Sequence, residues 1–198
     1  MLNVLLKIIF KIKNKISLIR NNYFTKVSIL LKKNICINEG TFNQRTIFMG
    51  NGKVEIGKNF SIGYRYGGGF RGRFSEIQVR DSNSLIKIGK NLATNNGIFI
   101  CARKYIFIGN DVLIGSEVTI MDHNAHGIHP IKRRTSHGTP TEIIIEDNVW
   151  IGNNVTILSG TKIGKNSVVG VGSVVKGIFP ENVIIQGNPA KVVKEIKI

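Results

Sequence analysis

The chain has 198 residues, 42% of them hydrophobic, which suits one domain with an ordinary core and a modest appendage and excludes a disordered polymer. Its 28 basic and 12 acidic residues leave a formal charge of +16, but residues 1–33 alone hold eight basic residues and no acid, half of the excess. That uneven distribution, a single tryptophan and the lack of a recognition motif argue against nucleic acid as the partner. Cys36 and Cys101 fit no metal or redox spacing and read as reduced thiols.

The first element is residues 1–33. Leu2, Leu5, Leu6, Ile9, Ile12, Ile16 and Ile19 recur at helical spacing with lysines largely between them, which predicts a basic amphipathic helix. The lysines cut the apolar run and no small-residue cleavage site follows, so the segment reads as neither a secretory signal nor a membrane span. Two roles fit it: lying on an anionic membrane surface, or capping the open end of the domain that follows or packing between subunits.

From 34 to 198 the period is six. Ile56 and Ile62 open it, Ile88 resumes it, and Ile108, Ile114 and Ile120 follow. Ile145, Ile151, Ile157, Ile163, Val169 and Val175 then run unbroken. Glycine follows the aliphatic residue at 57, 63, 89, 109, 115, 152, 164 and 170. Four residues after the aliphatic one stands a small or β-branched residue: Val112, Val118, Val149, Val155, Thr161, Ser167, Ser173. An α-helix would turn residues six apart by about 120°, so no face would form. A short strand with its aliphatic residue inward, followed by a corner whose dihedrals glycine tolerates, satisfies the unit. Coils of such units stack by hydrogen-bonding strand on strand. The predicted class is all-β, a parallel β-helix with a short N-terminal amphipathic helical segment.

Two loop insertions interrupt the repeat, near 64–85 and 121–144. The first holds Arg65, Arg71 and Arg73 among Tyr64, Tyr66, Phe70 and Phe74. Aromatic faces suit sugar rings, and guanidinium forks suit carboxylates or phosphates. The second holds all four histidines, His123, His126, His129 and His137, and histidine is the usual base near neutral pH.

The run "IEDNVWIGNNVTILSGTKIGKNSVVGVGSVV" followed by "GNPAKVVK" resembles the hexapeptide-repeat acyltransferases, in the branch that acetylates sugars and bacterial surface polysaccharides. The resemblance extends over about residues 35–195. It implies a left-handed winding, a homotrimer, acetyl-CoA as co-substrate with no metal, and a glycan acceptor. The expected setting is cytoplasmic, with peripheral contact at the inner face of the membrane through residues 1–33. In "EVTIMDHNAH" the family's base matches His123, with His126 as second choice. Trp150 points outward and matches a residue of the coenzyme cleft between subunits, subunit packing being its alternative role. Asn153, Val171, Lys176, Lys191 and Lys194 match further acetyl-CoA contacts, the lysines meeting phosphates. Asn96, with Asn95 nearly equivalent, matches a residue that touches the acceptor sugar. The basic loop, Arg65, Arg71 and Arg73, points to an anionic acceptor. An amine acceptor stays open, as do two other classes: a metal enzyme of carbonic-anhydrase type using His123, Asp122, His126 and His129, and a non-enzymatic basic scaffold.

Overall fold

The computed structural model describes residues 2–30, 32–70 and 72–198; Arg71 lies outside them, as do the side chains of Leu2 and Leu5. Helix α1 (Leu2–Ile29) leads into stacked three-strand coils. The first coil is β1 (Ile35–Ile37), β2 (Gly40–Phe42) and β3 (Thr46–Gly50), and the second is β4 (Lys53–Ile56), β5 (Phe60–Ile62) and β6 (Ser75–Val79). The third is β7 (Leu85–Ile88), β8 (Ala93–Thr94) and β9 (Phe99–Ala102), and the fourth is β10 (Tyr105–Ile108), β11 (Leu113–Ile114) and β12 (Thr119–Met121). The fifth is β13 (Ile143–Ile145), β14 (Trp150–Ile151) and β15 (Thr156–Leu158), and the sixth is β16 (Lys162–Ile163), β17 (Val168–Val169) and β18 (Val174–Val175). Strands β19 (Ile178–Phe179) and β20 (Val183–Gly187) begin a seventh, and β21 (Ala190–Glu195) turns back antiparallel on β20.

Strands three apart in sequence pair in parallel, so the coils stack as a β-helix with three faces, and it is of the left-handed class. The first face runs β1-β4-β7-β10-β13-β16-β19, the second β2-β5-β8-β11-β14-β17-β20-β21, and the third β3-β6-β9-β12-β15-β18. The six-residue series is buried from Ile145 to Val175, as are Val149, Val155, Thr161, Ser167 and Ser173 between them. The inward hydroxyls are satisfied by backbone: Thr161 donates to Leu158 O and Val175 O, and Ser173 to Gly170 O. At the N-terminal end the core widens into aromatics, Phe42 lying 5.0 Å from Phe60 and 6.0 Å from Phe48 between ring centroids.

The corners correct one expectation. Of the glycines that follow the aliphatic residue, only Gly63 has a positive φ. The left-handed position at the corner between first and second faces is taken instead by Asn59, Asn91, Asp111, Asn148, Asn166 and Asn182. Asn and Asp tolerate that conformation better than other side-chain-bearing residues. Their side chains join coil to coil, Asn91 donating to Asp111 at 2.8 Å and Asn166 to Asn182 at 2.8 Å. The glycines are needed for room. A Cβ on Gly109 would sit 2.3 Å from Asp147 Oδ1 and 2.7 Å from Asp147 N in the next coil.

Both insertions are also trimmed. Strand β6 lies inside the span 64–85 and pairs with β3 and β9, so the first excursion ends at residue 74. The alternating inward pattern of Ser75, Ile77 and Val79 is coil. The second excursion runs from 122 to 142, between β12 and β13.

The C-terminal half of α1 closes the first coil. Asn21 Nδ2 donates to Asn43 O at 3.0 Å, Asn22 Oδ1 accepts from Phe42 N at 3.3 Å, and buried Thr25 Oγ1 accepts from Thr46 N at 3.0 Å. These bonds occupy backbone groups that an open solenoid end would leave unpaired. The Arg45 guanidinium stacks 3.3 Å over the Phe24 ring and lies 5.1 Å from that of Phe74, tying the helix to the first excursion.

Candidate active site

The chain leaves the third face at Met121 and buries the next two side chains, Asp122 and His123. The Asp122 carboxylate sits over the turn between β9 and β10. Its Oδ1 accepts from Arg103 N at 2.9 Å, and its Oδ2 from Lys104 N at 2.8 Å and Tyr105 N at 3.0 Å. The fourth partner is His123 Nδ1, 2.9 Å from Oδ1. A carboxylate can only accept, so Nδ1 carries the proton and Nε2 is left with its lone pair. Nε2 is buried and has no hydrogen-bond partner among the described residues. Burial pulls the imidazole below its ordinary value of 6.5, the bond to Asp122 opposes that, and the charges of Arg80 and Arg103 add to the lowering. The result is an oriented, neutral imidazole at pH 7.

His123 lines a pocket with Arg80, Arg103, His126, Arg134, Ser136 and His137. Arg80 and Arg103 each stand one residue beyond a third-face strand, β6 and β9, and His123 stands two beyond β12. Val79 is in register with Ala102, and Cys101 with Met121. Three successive coils therefore place two arginines and the histidine in one column at the corner between third and first faces. Arg103 is held toward Asp81 at 3.4 Å, and its Nε is buried without a partner among the described residues.

His126, the second choice, lines the same pocket, and the remaining predicted residues fall elsewhere. His126 is exposed, with Nδ1 3.2 Å from Arg133 O, and no acid orients it. Asn96 is buried, and its amide is taken within the chain. Its Nδ2 donates to Tyr64 O at 2.8 Å and Gly68 O at 3.1 Å, and its Oδ1 accepts from Tyr64 N at 2.9 Å. The amide is consumed in pinning the glycine-rich excursion, and Asn95 Oδ1 caps Asn96 N at 2.9 Å. Arg73 is paired with Glu117, and Arg65 bonds to Tyr66 and lies 4.3 Å from its ring centroid. Arg73 thus meets an acid and Arg65 the neighbouring tyrosine, both at the exposed surface.

Trp150 is 55% exposed on the second face, in register with Leu113 and Val168. With Tyr64, Asn95, Leu113 and Asn153 it lines a shallow groove. Asn153 Oδ1 accepts from Ser116 N at 2.8 Å, and exposed Val171 stands at the same corner one coil on. Lys191 and Lys194 are exposed on β21, beside this face. Lys176 follows β18 and so lies at the corner of His123, two coils further along. In a three-sided prism that corner is opposite the second face, so one chain does not bring Trp150 and His123 together.

Among the described residues no three His, Cys, Asp or Glu side chains group as a metal cradle. Asp122 is occupied by three amides and His123, so the ligand set with His126 and His129 does not assemble. Asp122 as partner of His123, and Arg80, Arg103 and Arg134 around it, were not singled out from sequence. The acid immediately before His123 was a usable signal for the first; the arginines offer none without the register.

Residues 142–177 match the family model described as bacterial transferase hexapeptide, six repeats. The chain is 34% identical over 155 residues to WbbJ of Escherichia coli (strain K12), named as a lipopolysaccharide biosynthesis O-acetyl transferase, and the match covers 73% of each chain. It is 39% identical over 114 residues to a galactoside O-acetyltransferase of Lactococcus lactis, covering 54% of this chain and 55% of that one. Among solved structures, the polySia-specific acetyltransferase NeuO superposes with a TM-score of 0.63 at 28% identity, covering 81% of this chain and 69% of that one. With its stacked hexapeptide coils and these relatives, the chain belongs to the hexapeptide-repeat acetyltransferases.

Proposed function

We propose that this acetyltransferase moves the acetyl group of acetyl-CoA to a hydroxyl of an anionic glycan, with His123 as general base. The observation that carries this reading is the buried Asp122–His123 pair, which leaves Nε2 without a partner on a residue that lines one pocket with Arg80, Arg103 and Arg134. Nε2 takes the hydroxyl proton as the oxygen bonds to the thioester carbonyl carbon. The tetrahedral oxyanion then collapses, the C–S bond breaks, and the coenzyme thiolate takes the proton back from the imidazolium. The arginine column supplies fixed positive charge beside the reacting hydroxyl. It replaces Arg65 and Arg73 as the feature that favours a carboxylate-bearing sugar.

The coenzyme reading of Trp150, Asn153, Val171, Lys176, Lys191 and Lys194 requires more than one chain. Trp150 lies on the face opposite the His123 corner, so a molecule touching both spans two subunits. A homotrimer, in which each cleft joins one chain's second face to a neighbour's corner, meets that requirement. NeuO is specific for polySia, an acidic polymer, and a hexapeptide-repeat acetyltransferase of Vibrio cholerae has been solved with acetyl-CoA, which supports both substrate classes.

The test is thiol release from acetyl-CoA against paired glycans that differ only in a carboxylate. His123→Ala lowers turnover by about 100-fold or more with little change in coenzyme affinity. Arg103→Gln raises the KM of the acidic glycan by roughly tenfold and leaves the neutral one unchanged. Equal use of both glycans by wild type and variant refutes the anionic acceptor; near-normal turnover in His123→Ala refutes the base.

A further inference from the structure

Among the described residues, helix α1 meets the β-helix through one side. Asn21, Asn22 and Thr25 make the bonds to the first coil, and partly buried Ile29 packs against the core. Each residue advances about 100° around the helix axis. Ile9, Ile12, Ile16, Ile19, Tyr23 and Val27 therefore fall on the side opposite Thr25. Each is exposed, Ile16 at 59% and Ile19 at 60%. The stripe points away from the protein along most of a helix about 42 Å long. A contiguous apolar surface of that kind marks an interaction site.

The flanking charge selects the partner. Exposed Lys15 and Lys26 border the stripe on one side and exposed Arg20 on the other. The whole segment 1–33 carries eight basic residues and no acid. A seam between two copies of the helix would set these cations against one another with no acid in the segment to pair them. An anionic lipid surface accepts both features at once: the isoleucines enter the acyl boundary, and the cations meet headgroup phosphates. The helix is not long and apolar enough to cross a membrane.

We propose that α1 is an interfacial helix that seats the N-terminal end of the β-helix on an anionic bilayer. The docked half fixes the orientation. The first coil lies nearest the surface, and His123, at the fourth, stands about 15 Å further out at ~4.8 Å per coil.

The experiment is flotation of the full chain with vesicles of phosphatidylcholine alone or mixed with phosphatidylglycerol, beside light scattering without lipid. The expected result is binding to the mixed vesicles only, weakening as salt rises. Ile16→Glu with Ile19→Glu lowers the partition coefficient by on the order of tenfold or more, with melting temperature and turnover on a soluble acceptor unchanged. Both positions are exposed, so the pair of substitutions spares the fold. Failure to bind the mixed vesicles, equal binding to both, or unchanged partition of the double variant overturns the proposal. So does a wild type that ignores lipid and loses oligomeric mass in the double variant, which would make the stripe a seam between copies.

Discussion

Replacing Asp122 by asparagine changes one atom of the site and tests its electrostatic logic. Four donors converge on the buried carboxylate: the amides of Arg103, Lys104 and Tyr105 and the Nδ1–H of His123. An asparagine side chain accepts on one side and donates on the other. In one orientation its NH2 faces the amides of Lys104 and Tyr105. In the other it faces Arg103 N and His123, and the imidazole must turn its proton to Nε2. Either way about two buried donors lose their acceptor, at roughly 1–3 kcal/mol each, so Asp122→Asn destabilises the fold by about 3 kcal/mol. For a chain of this size that lowers Tm by about 9 °C. The second orientation also removes the lone pair that accepts the hydroxyl proton, so kcat falls by on the order of 10³. Loss of the carboxylate removes the influence that raises the imidazole pKa, so the acid limb of the residual activity moves to lower pH. Thermal melting and kcat against pH measure both effects. A Tm within roughly 2 °C of wild type together with kcat within about threefold would refute Asp122 as the positioning residue.

With His123 as the proposed base, held neutral by burial, kcat/KM should be flat near neutrality and fall with acidification through a pKa below 6.5; a limb above that value contradicts the burial argument. Because the unfolded chain binds that proton first, melting temperature should also begin to drop as pH falls below about 6.5. At the left-handed corner, Asn166→Ala should cost about 1–2 kcal/mol and Asn166→Gly clearly less, as read by denaturant midpoint, since glycine restores the dihedral but not the bond to Asn182. Gly109→Ala should destabilise by about 2–3 kcal/mol despite an ordinary φ, because its Cβ meets the Asp147 backbone; an unchanged midpoint would show that the coils can separate locally.

The six-residue period was enough to determine the coil, because each inward aliphatic residue is a local requirement repeated at a fixed interval. The histidine excursion was equally visible, since all its members are contiguous. Reading the corner glycines as conformational devices failed for a physical reason. Whether a residue lacks room depends on the next coil, so the demand on Gly109 is made by Asp147, 38 positions away. Asn96 misled in the same way, its amide being taken by a loop some thirty residues earlier, at Tyr64 and Gly68. The site itself belongs to the stacking. Arg80, Arg103 and His123 are separated by 23 and 20 residues, each interval a single coil lengthened by the turns after β6 and β9, so the repeat alone does not give them. The direction of the apolar stripe on α1 likewise follows from which side of the helix meets the first coil. Periodic burial is written locally in the chain, whereas charge brought together across coils exists only once the register is closed.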